Sequence, residues 1–581
     1  MIQPVKLSDG LVIDARQISE LAERSIAGQI EYWARLGRAV EPLLSGNKVL
    51  VLRRTGDLKS ISMVTIACMV CLLAACGGGA RADDAGTIKI TVTIDRGQDL
   101  GQNFGSLFEA RSNDELLVVG AGFQNAYNTR YRADRHAVQF FLRPAGGERP
   151  LTTNRLPRPN DLCGTYLFGR DGVVHSTYGA ATAWNPNQRT WDNVPAIGGT
   201  EESMRVGHHV LGFGDSTVTY RGKTILGPPD KGSYQLFFYA NGHLCFYHVN
   251  RGDRGYRPYQ NDEDGFSKLY ACPWTPDDDA VDLTRAVVLT LPVVGETTFA
   301  WGQLDRQIVT GSNIGGFYVF EDGAWRMLLE PQLGVSYQLY STMAYHDRLL
   351  MGQYPMGHVF TYDGKEITEL AAWPPKLAGV SPSAREAQTT VIYGGDVFVG
   401  VWPWGELWRY NPDSDSWVFA RRMFDHPELS DRTVHPYDEE NKGGEVGNQW
   451  GQRVTGLVTS GPDLFVSTSA KWPCEWDAEK FPFLAPDRWQ AYGTVYRLTM
   501  PGHLSAPIDW TDGPTTIDFT IRGTTMAIAQ DGKQLATTTL TGPLAERVGA
   551  RSAFEKVTWG DGIYGPFGGT TIRGEMVLSA E

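Results

Sequence analysis

One module recurs through the middle of the chain and limits the folds open to it. A strand, a tight turn and a second strand end in an aromatic residue, a turn and often a Trp. It reads "RQIVTGSNIGGFYVFEDGAWRML" from Arg306, "DRLLMGQYPMGHVFTYDGKEITEL" from Asp347 and "GDVFVGVWPWGELWRYNPDSDSWVFA" from Gly395. Degenerate copies start at Gly172 ("GVVHSTYGAATAWNPNQRTWDNV") and at "DLFVSTSAKWP", continued by "GTVYRLTMPG". A further strand precedes most copies, often beginning with Gln or Glu: Gln235, Glu296, Gln338, Gln388 and Gln452.

Three or four short strands every 45–65 residues or so, without helical periodicity, are the signature of β-propeller blades. The expected fold is mainly β: a six- or seven-bladed propeller over residues 91–501. An open pair of β-sandwiches is the competing arrangement. "WNPNQRTW" and "YNPDSDSWVFARRM" resemble kelch blades. The general pattern is also similar to sialidase-like propellers, although the repeated Asp-box of that group is missing. Residues 502–581 alternate as strands around Asp531 and Gly532, and read as a small jelly-roll or as strands that close the ring.

The net charge of −13 is unevenly spread: residues 1–60 carry nine Lys/Arg against seven Asp/Glu, a balance of +2, which leaves −15 for the rest. An acidic body argues against general nucleic-acid binding, which needs Lys and Arg on phosphates. Of the seven Cys, the body holds Cys163, Cys245, Cys272 and Cys474, which in an oxidising compartment allow three pairings. Cys245 and Cys272 fall on successive strands, so a cross-strand disulfide between them is geometrically reasonable; four inert buried thiols are the alternative.

The first residues have different punctuation. A short strand near residues 3–7 meets Ser8 and Asp9, a helix-start signal, and Ser25 caps a second helix that ends at Gly46 and Asn47. A strand and two helices bury little core alone, which implies a dimer of the ribbon–helix–helix kind, whose paired strands enter the major groove. The detail of "RSIAGQIEYWARLGRAVE" resembles the ParD-like antitoxin family. That resemblance covers residues 1–50 and implies a DNA-binding dimer that represses its own toxin–antitoxin operon. On it, Gln3, Lys6 and Ser8 would face bases, with toxin and operator DNA as partners.

Residues 51–76 read as an export signal. Arg53, Arg54 and Lys59 precede the apolar run from Ile61 to Ala75, too short to span a bilayer comfortably. "LAACG" resembles a bacterial lipobox, which implies lipidation of Cys76, a membrane anchor and a place in the cell envelope outside the cytoplasm. Residues 77–90 form a flexible tether. A cytoplasmic DNA binder and an exported lipoprotein conflict. Residues 1–50 are therefore expected to be upstream coding sequence, with the lipoprotein starting near Val51, Leu52 or Met63.

Blade geometry places second-to-third strand turns and interblade connections on one face, where a rigid scaffold carries function. Candidates for a glycan site there are Gln235, Gln338, Gln388, Trp402, Trp404, Arg453 and Tyr178, because rings stack on sugar C–H faces and polar groups take hydroxyls. Elimination on a uronate needs a base, an acid and a cation: His208 or His209, Tyr354 and Arg385. Hydrolysis needs paired carboxylates: Glu296 and Glu386. No cofactor is expected. The acidic turns at 261–265 and 411–417 suit calcium only weakly, lacking a spaced loop with its closing Glu. The expectation is an exported propeller that binds a glycan and, as an enzyme, cleaves it. A non-catalytic protein-interaction propeller and an antitoxin-like DNA binder are the alternatives.

Overall fold

The computed structural model describes residues 87–579 apart from 113–116, 129–130, 146–148, 178–180, 196–202, 253–258, 261–264, 335, 371–372, 381–384, 432–434, 442–447, 550–556, 561 and 565–575. The antitoxin-like segment and the lipobox lie outside them. The chain divides into two compact units, 1–79 and 80–581, and every described residue belongs to the second.

Seven antiparallel sheets succeed one another as blades 1 to 7, spanning 167–193, 203–226, 233–290, 298–329, 338–369, 386–422 and 453–499, six of them four-stranded and that of blade 5 widened to six. The inner strands are near-continuous apolar and β-branched runs, as in Glu386–Tyr393, where every residue is buried. The outer strands are more exposed, as in Ala324–Leu329, where no residue is fully buried, because they meet solvent. Neighbouring blades approach closely where glycine allows it. A Cβ on Gly352 would collide with the Ala387 carbonyl, and one on Gly400 with the Val454 side chain.

The ring closes by an exchange of strands. Blade 7 supplies only three strands of its own, and Thr152–Arg155, which precedes blade 1, adds the fourth against Val495–Thr499. The first and last blades also meet directly, through an isolated bridge between Gly164 and Ser469.

Residues expected in the tether, the propeller or its tail form a second domain, and 87–90, expected to be flexible, begin a strand. Thr87–Ile94 pairs with Thr515–Arg522 and Met576–Ser579. Ser106–Ser112, Leu117–Phe123 and Ala137–Pro144 form another sheet with His503–Pro507 and Val557–Gly560. The two five-stranded sheets enclose a core that includes Val92, Phe108, Phe140, Phe519 and Ile528. The propeller is thus inserted between the halves of a β-sandwich, and its boundary lies near residue 152, not 91. The tail neither closes the ring nor folds alone.

The sandwich covers the face that carries the first-to-second strand turns. Gly172 N–H donates to Asp134, Gly207 N–H to Asp99 and Gly242 N–H to the Leu100 carbonyl. Between two sandwich strands the chain makes a hairpin of Tyr127–Asn128 and Tyr131–Arg132 that adds to the inner edge of blade 5. This hairpin fills the axis of the ring. Asn128 donates to the Gln388 carbonyl, the Tyr131 hydroxyl to Thr390, and Arg132 to the Phe237 carbonyl.

The Cys245–Cys272 disulfide that successive strands would allow is ruled out by register. Cys272 stands opposite Leu244, and Cys245 opposite Ala271. Successive positions point to opposite faces of a sheet, so the two thiols enter different interblade cores.

Candidate functional site

The uncovered face carries the second-to-third strand turns and the interblade connections. Inner strands enter from this side, and each of blades 3 to 7 has a register shift near its start, between Gln235 and Phe238, Thr298 and Ala300, Leu339 and Ser341, Ala387 and Thr389, and Val454 and Gly456. A β-bulge re-aims the extra residue. In blades 4 to 7 those residues are Phe299, Tyr340, Gln388 and Thr455, and the rings of Phe299 and Tyr340 stack with centroids 5.4 Å apart.

Blades 5, 6 and 7 bring charged groups together beside these bulges. Arg453 donates to Glu386 at 3.2 Å, and its other amino group faces the Lys471 carbonyl at 3.4 Å. Tyr340 donates to Gln338 at 2.5 Å. Burial and the Glu386 charge push the Tyr340 and Tyr354 hydroxyls above the ordinary phenol range. Burial works against the Arg453 charge, but Glu386, Tyr340 and Tyr166 together more than offset it, and the guanidinium is held above its usual value. Lys471 is lowered, first by burial and then by Arg453.

The long connection between blades 6 and 7 supplies a histidine. His435 Nδ1 lies 2.7 Å from Asp438, which fixes the proton there and leaves Nε2 as an acceptor. Burial lowers the imidazole against the opposing pull of Asp438, favouring the neutral form. Its ring lies 4.7 Å from that of Trp402, which in turn meets the Tyr354 ring edge-on at 6.3 Å. Five buried atoms here have no hydrogen-bond partner: Glu386 Oε2, Gln388 Oε1, Arg453 Nε, His435 Nε2 and Trp402 Nε1. The cluster presents an anion, two cations and a neutral imidazole, a set suited to hydroxyls, carboxylates or proton transfer.

Aromatic rings reach solvent on the same face. Trp373, on the connection between blades 5 and 6, is 38% exposed, and Trp472 and Trp476, in the blade 7 turn, are 52% and 38% exposed. Trp373 stacks on His358 at 4.5 Å. Gln449 donates to the Trp472 carbonyl at 2.6 Å and braces the blade 7 turn.

Several expected site residues stand elsewhere. His208 and His209 lie in and just after the first-to-second strand turn of blade 2, on the sandwich side, because Val206 and His209 pair as a hairpin. Glu296 is fully buried in blade 4, where it accepts from Tyr318 at 2.7 Å and burial raises its pKa. It shares no partner with Glu386, and blade 5 stands between them. Arg385 is consumed by structure, donating to the Pro374 and Pro375 carbonyls and to Glu406. Trp402 and Trp404 are 1% and 2% exposed under the connection from blade 6, so neither ring is open to a sugar. Gln235 lies exposed at the rim of blade 3, bonded to Ser233. Tyr178, Cys76, Gln3, Lys6 and Ser8 fall outside the described residues. Among the described residues no three His, Cys, Asp or Glu gather as metal ligands.

Tyr340, His435, Asp438, Trp373 and Trp476 were not among the expected site residues. For Tyr340 a signal existed: it lies two positions after Gln338, as Gln388 follows Glu386 and Thr455 follows Arg453, the spacing of the repeated bulge.

Residues 2–49 match the family model of the ParD-like antitoxin of type II bacterial toxin–antitoxin systems. Among solved structures, the chain is similar to the computationally designed Ika8 protein, with 14% identity, 70% of this chain and 99% of that one covered, and a TM-score of 0.32. BamB from Moraxella catarrhalis matches at 11% identity, covering 72% and 99%, with a TM-score of 0.28. YCF48 bound to D1 peptide matches at 11%, covering 61% and 96%, with a TM-score of 0.30. No curated protein matches the sequence. The propeller assignment rests on the order of strands in the seven sheets.

Proposed function

We propose that the uncovered face of the propeller binds a glycan outside the cytoplasm, with lipidated Cys76 as the anchor. One observation carries the reading: three solvent-facing tryptophans share this face with a charged cluster in which five polar atoms have no protein partner. Exposed rings offer stacking platforms, and Arg453 and Lys471, the half-buried members of the cluster, offer hydroxyl and carboxylate contacts. The combination suits an acidic or hydroxyl-rich sugar better than a flat protein surface.

The test is binding of the full chain to a panel of neutral and uronate-containing polysaccharides. Trp472→Ala should weaken binding about tenfold or more, the loss expected when one buried ring is removed. The sugars are then assayed for shortening and for the ultraviolet absorbance of an unsaturated uronate. Shortening with that signal indicates elimination, shortening without it hydrolysis, and neither a binder. Unchanged affinity in Trp472→Ala and Trp373→Ala together would move the glycan site away from these rings, and no binding to any polysaccharide would remove the glycan reading in favour of a protein partner.

The family match at residues 2–49 favours a second reading, a repressor that binds operator DNA and a toxin. Mass spectrometry of the chain from its native cell separates the two. A lipid on Cys76 as the first residue supports export. An intact Met1 with an unmodified Cys76 supports DNA binding, which Lys6→Ala should then abolish.

A further inference from the structure

Cys163 and Cys474 lie far apart in sequence and meet at the seam of the ring. Cys163 precedes blade 1, and Cys474 sits in the blade 7 turn that carries Lys471, Trp472 and Trp476. Their sulfurs are 3.4 Å apart as thiols. The backbone holds them in register: Cys163 N–H donates to the Cys474 carbonyl at 3.0 Å, and Ala470 N–H to the Cys163 carbonyl at 2.9 Å. Cys474 N–H also points at the Cys163 sulfur, at 2.9 Å. A disulfide needs about 2.05 Å between sulfurs, so the two thiols have to move closer for the bond to form.

We propose that Cys163 and Cys474 form a redox-responsive disulfide that locks the seam of the propeller and fixes the blade 7 turn. The two thiols differ in access, since Cys163 is fully buried and Cys474 half-buried. Their hydrogen bond also separates them, lowering Cys474 and raising Cys163. This difference sets the order of reaction. The Cys474 thiolate attacks a sulfur of an oxidising disulfide, of the glutathione or oxidoreductase class, and expels one of its thiolates. Cys163 then loses its proton and attacks the Cys474 sulfur, expelling the second. Two cysteine thiols become one disulfide, the oxidant becomes two thiols, and two electrons pass to it.

The bond would add a covalent tie to the one that the strand Thr152–Arg155 already makes between the chain's two ends of the ring. It would also restrain the turn that holds Lys471 and Trp472. Cys245 and Cys272, each in a separate core, should remain thiols in both states.

The full chain is equilibrated in reduced or oxidised glutathione, alkylated, digested without reductant and mapped by mass. After oxidation we expect a linked peptide containing Cys163 and Cys474, its disappearance on reduction, and alkylated Cys245 and Cys272 throughout. Hydrogen exchange should be slower over residues 470–476 in the oxidised form. Two outcomes overturn the proposal: Cys163 and Cys474 both alkylated after oxidation, or Cys474 carrying only glutathione with Cys163 free. Cys474→Ser provides the control, in which no linked peptide forms. Because the map is read on the wild-type chain, poor folding of that variant leaves the answer intact.

Discussion

Glu386 and Arg453 start the inner strands of neighbouring blades and meet at 3.2 Å with side chains only 4% and 11% exposed. Removing one member of a buried pair leaves a charge without its partner, at a cost of about 3–5 kcal/mol. Glu386→Gln and Arg453→Gln alone should each lower stability by several kcal/mol. The double substitution should cost clearly less than their sum, since neither charge then remains. Urea unfolding of the three variants measures this. Additive losses would mean that the two groups do not act as a pair.

The axial hairpin depends on Arg132, whose guanidinium lies 4.4 Å from the Tyr127 ring centre and 4.5 Å from that of Phe213 while bonding the Phe237 carbonyl. It therefore joins the sandwich-borne hairpin to blades 2 and 3. Arg132→Ala should cost about 2–4 kcal/mol from lost cation–π contact, packing and a charged hydrogen bond. Tryptophan fluorescence during urea unfolding reads the shift. A change below about 0.5 kcal/mol, as at an ordinary surface site, would show that the axis does not need the hairpin.

The blades were legible because their strands obey local rules: apolar runs, turn residues and a recurring aromatic. The sandwich was not, because its sheets pair residues far apart, Ile90 with Phe519 and Phe140 with Leu504. Nothing local marks such pairing, and alternating strands fit a propeller equally well. The hairpin at 127–132 has two residues in each strand, below what periodicity can resolve. At the site, Arg453 and Glu386 were reachable from blade alignment. His208 and His209 were misplaced because a strand start was assigned at a hairpin turn, and that error moves a residue to the opposite face. The burial of Trp402 depends on a connection that passes over it, which the repeat does not encode.

Acid should destabilise the protein through its buried histidines. His503 is fully buried, and burial together with Arg149 lowers it to about 3. Its Nδ1 accepts the Gly394 N–H at 3.1 Å, so the native ring is neutral. The unfolded chain takes up a proton near pH 6.5 and the native state does not. The contribution is therefore complete above about pH 6.5 and falls by about 1.4 kcal/mol per pH unit between there and about pH 3. His503→Asn retains an acceptor without the titration. Its stability should fall less steeply between pH 6 and 4, an interval within that window, and parallel slopes would count against His503 as a source of acid sensitivity.

Closure of the ring makes the sharpest demand on a single backbone group. Leu156 N–H donates to the Val495 carbonyl at 2.9 Å, and the register continues with Arg155 opposite Tyr496 and Asn154 opposite Arg497. Hydrogen-bonded pairs alternate in an antiparallel ladder. Asn154 therefore directs its N–H at blade 7, whereas Thr153 directs its own away, along an outer edge. Proline removes that donor and is tolerated on an edge only where the N–H faces out. Asn154→Pro should cost about 3 kcal/mol and loosen the seam, with faster hydrogen exchange over residues 495–499, while Thr153→Pro should cost far less. Equal losses for the two would mean that this strand is held by its side chains and not by the ladder.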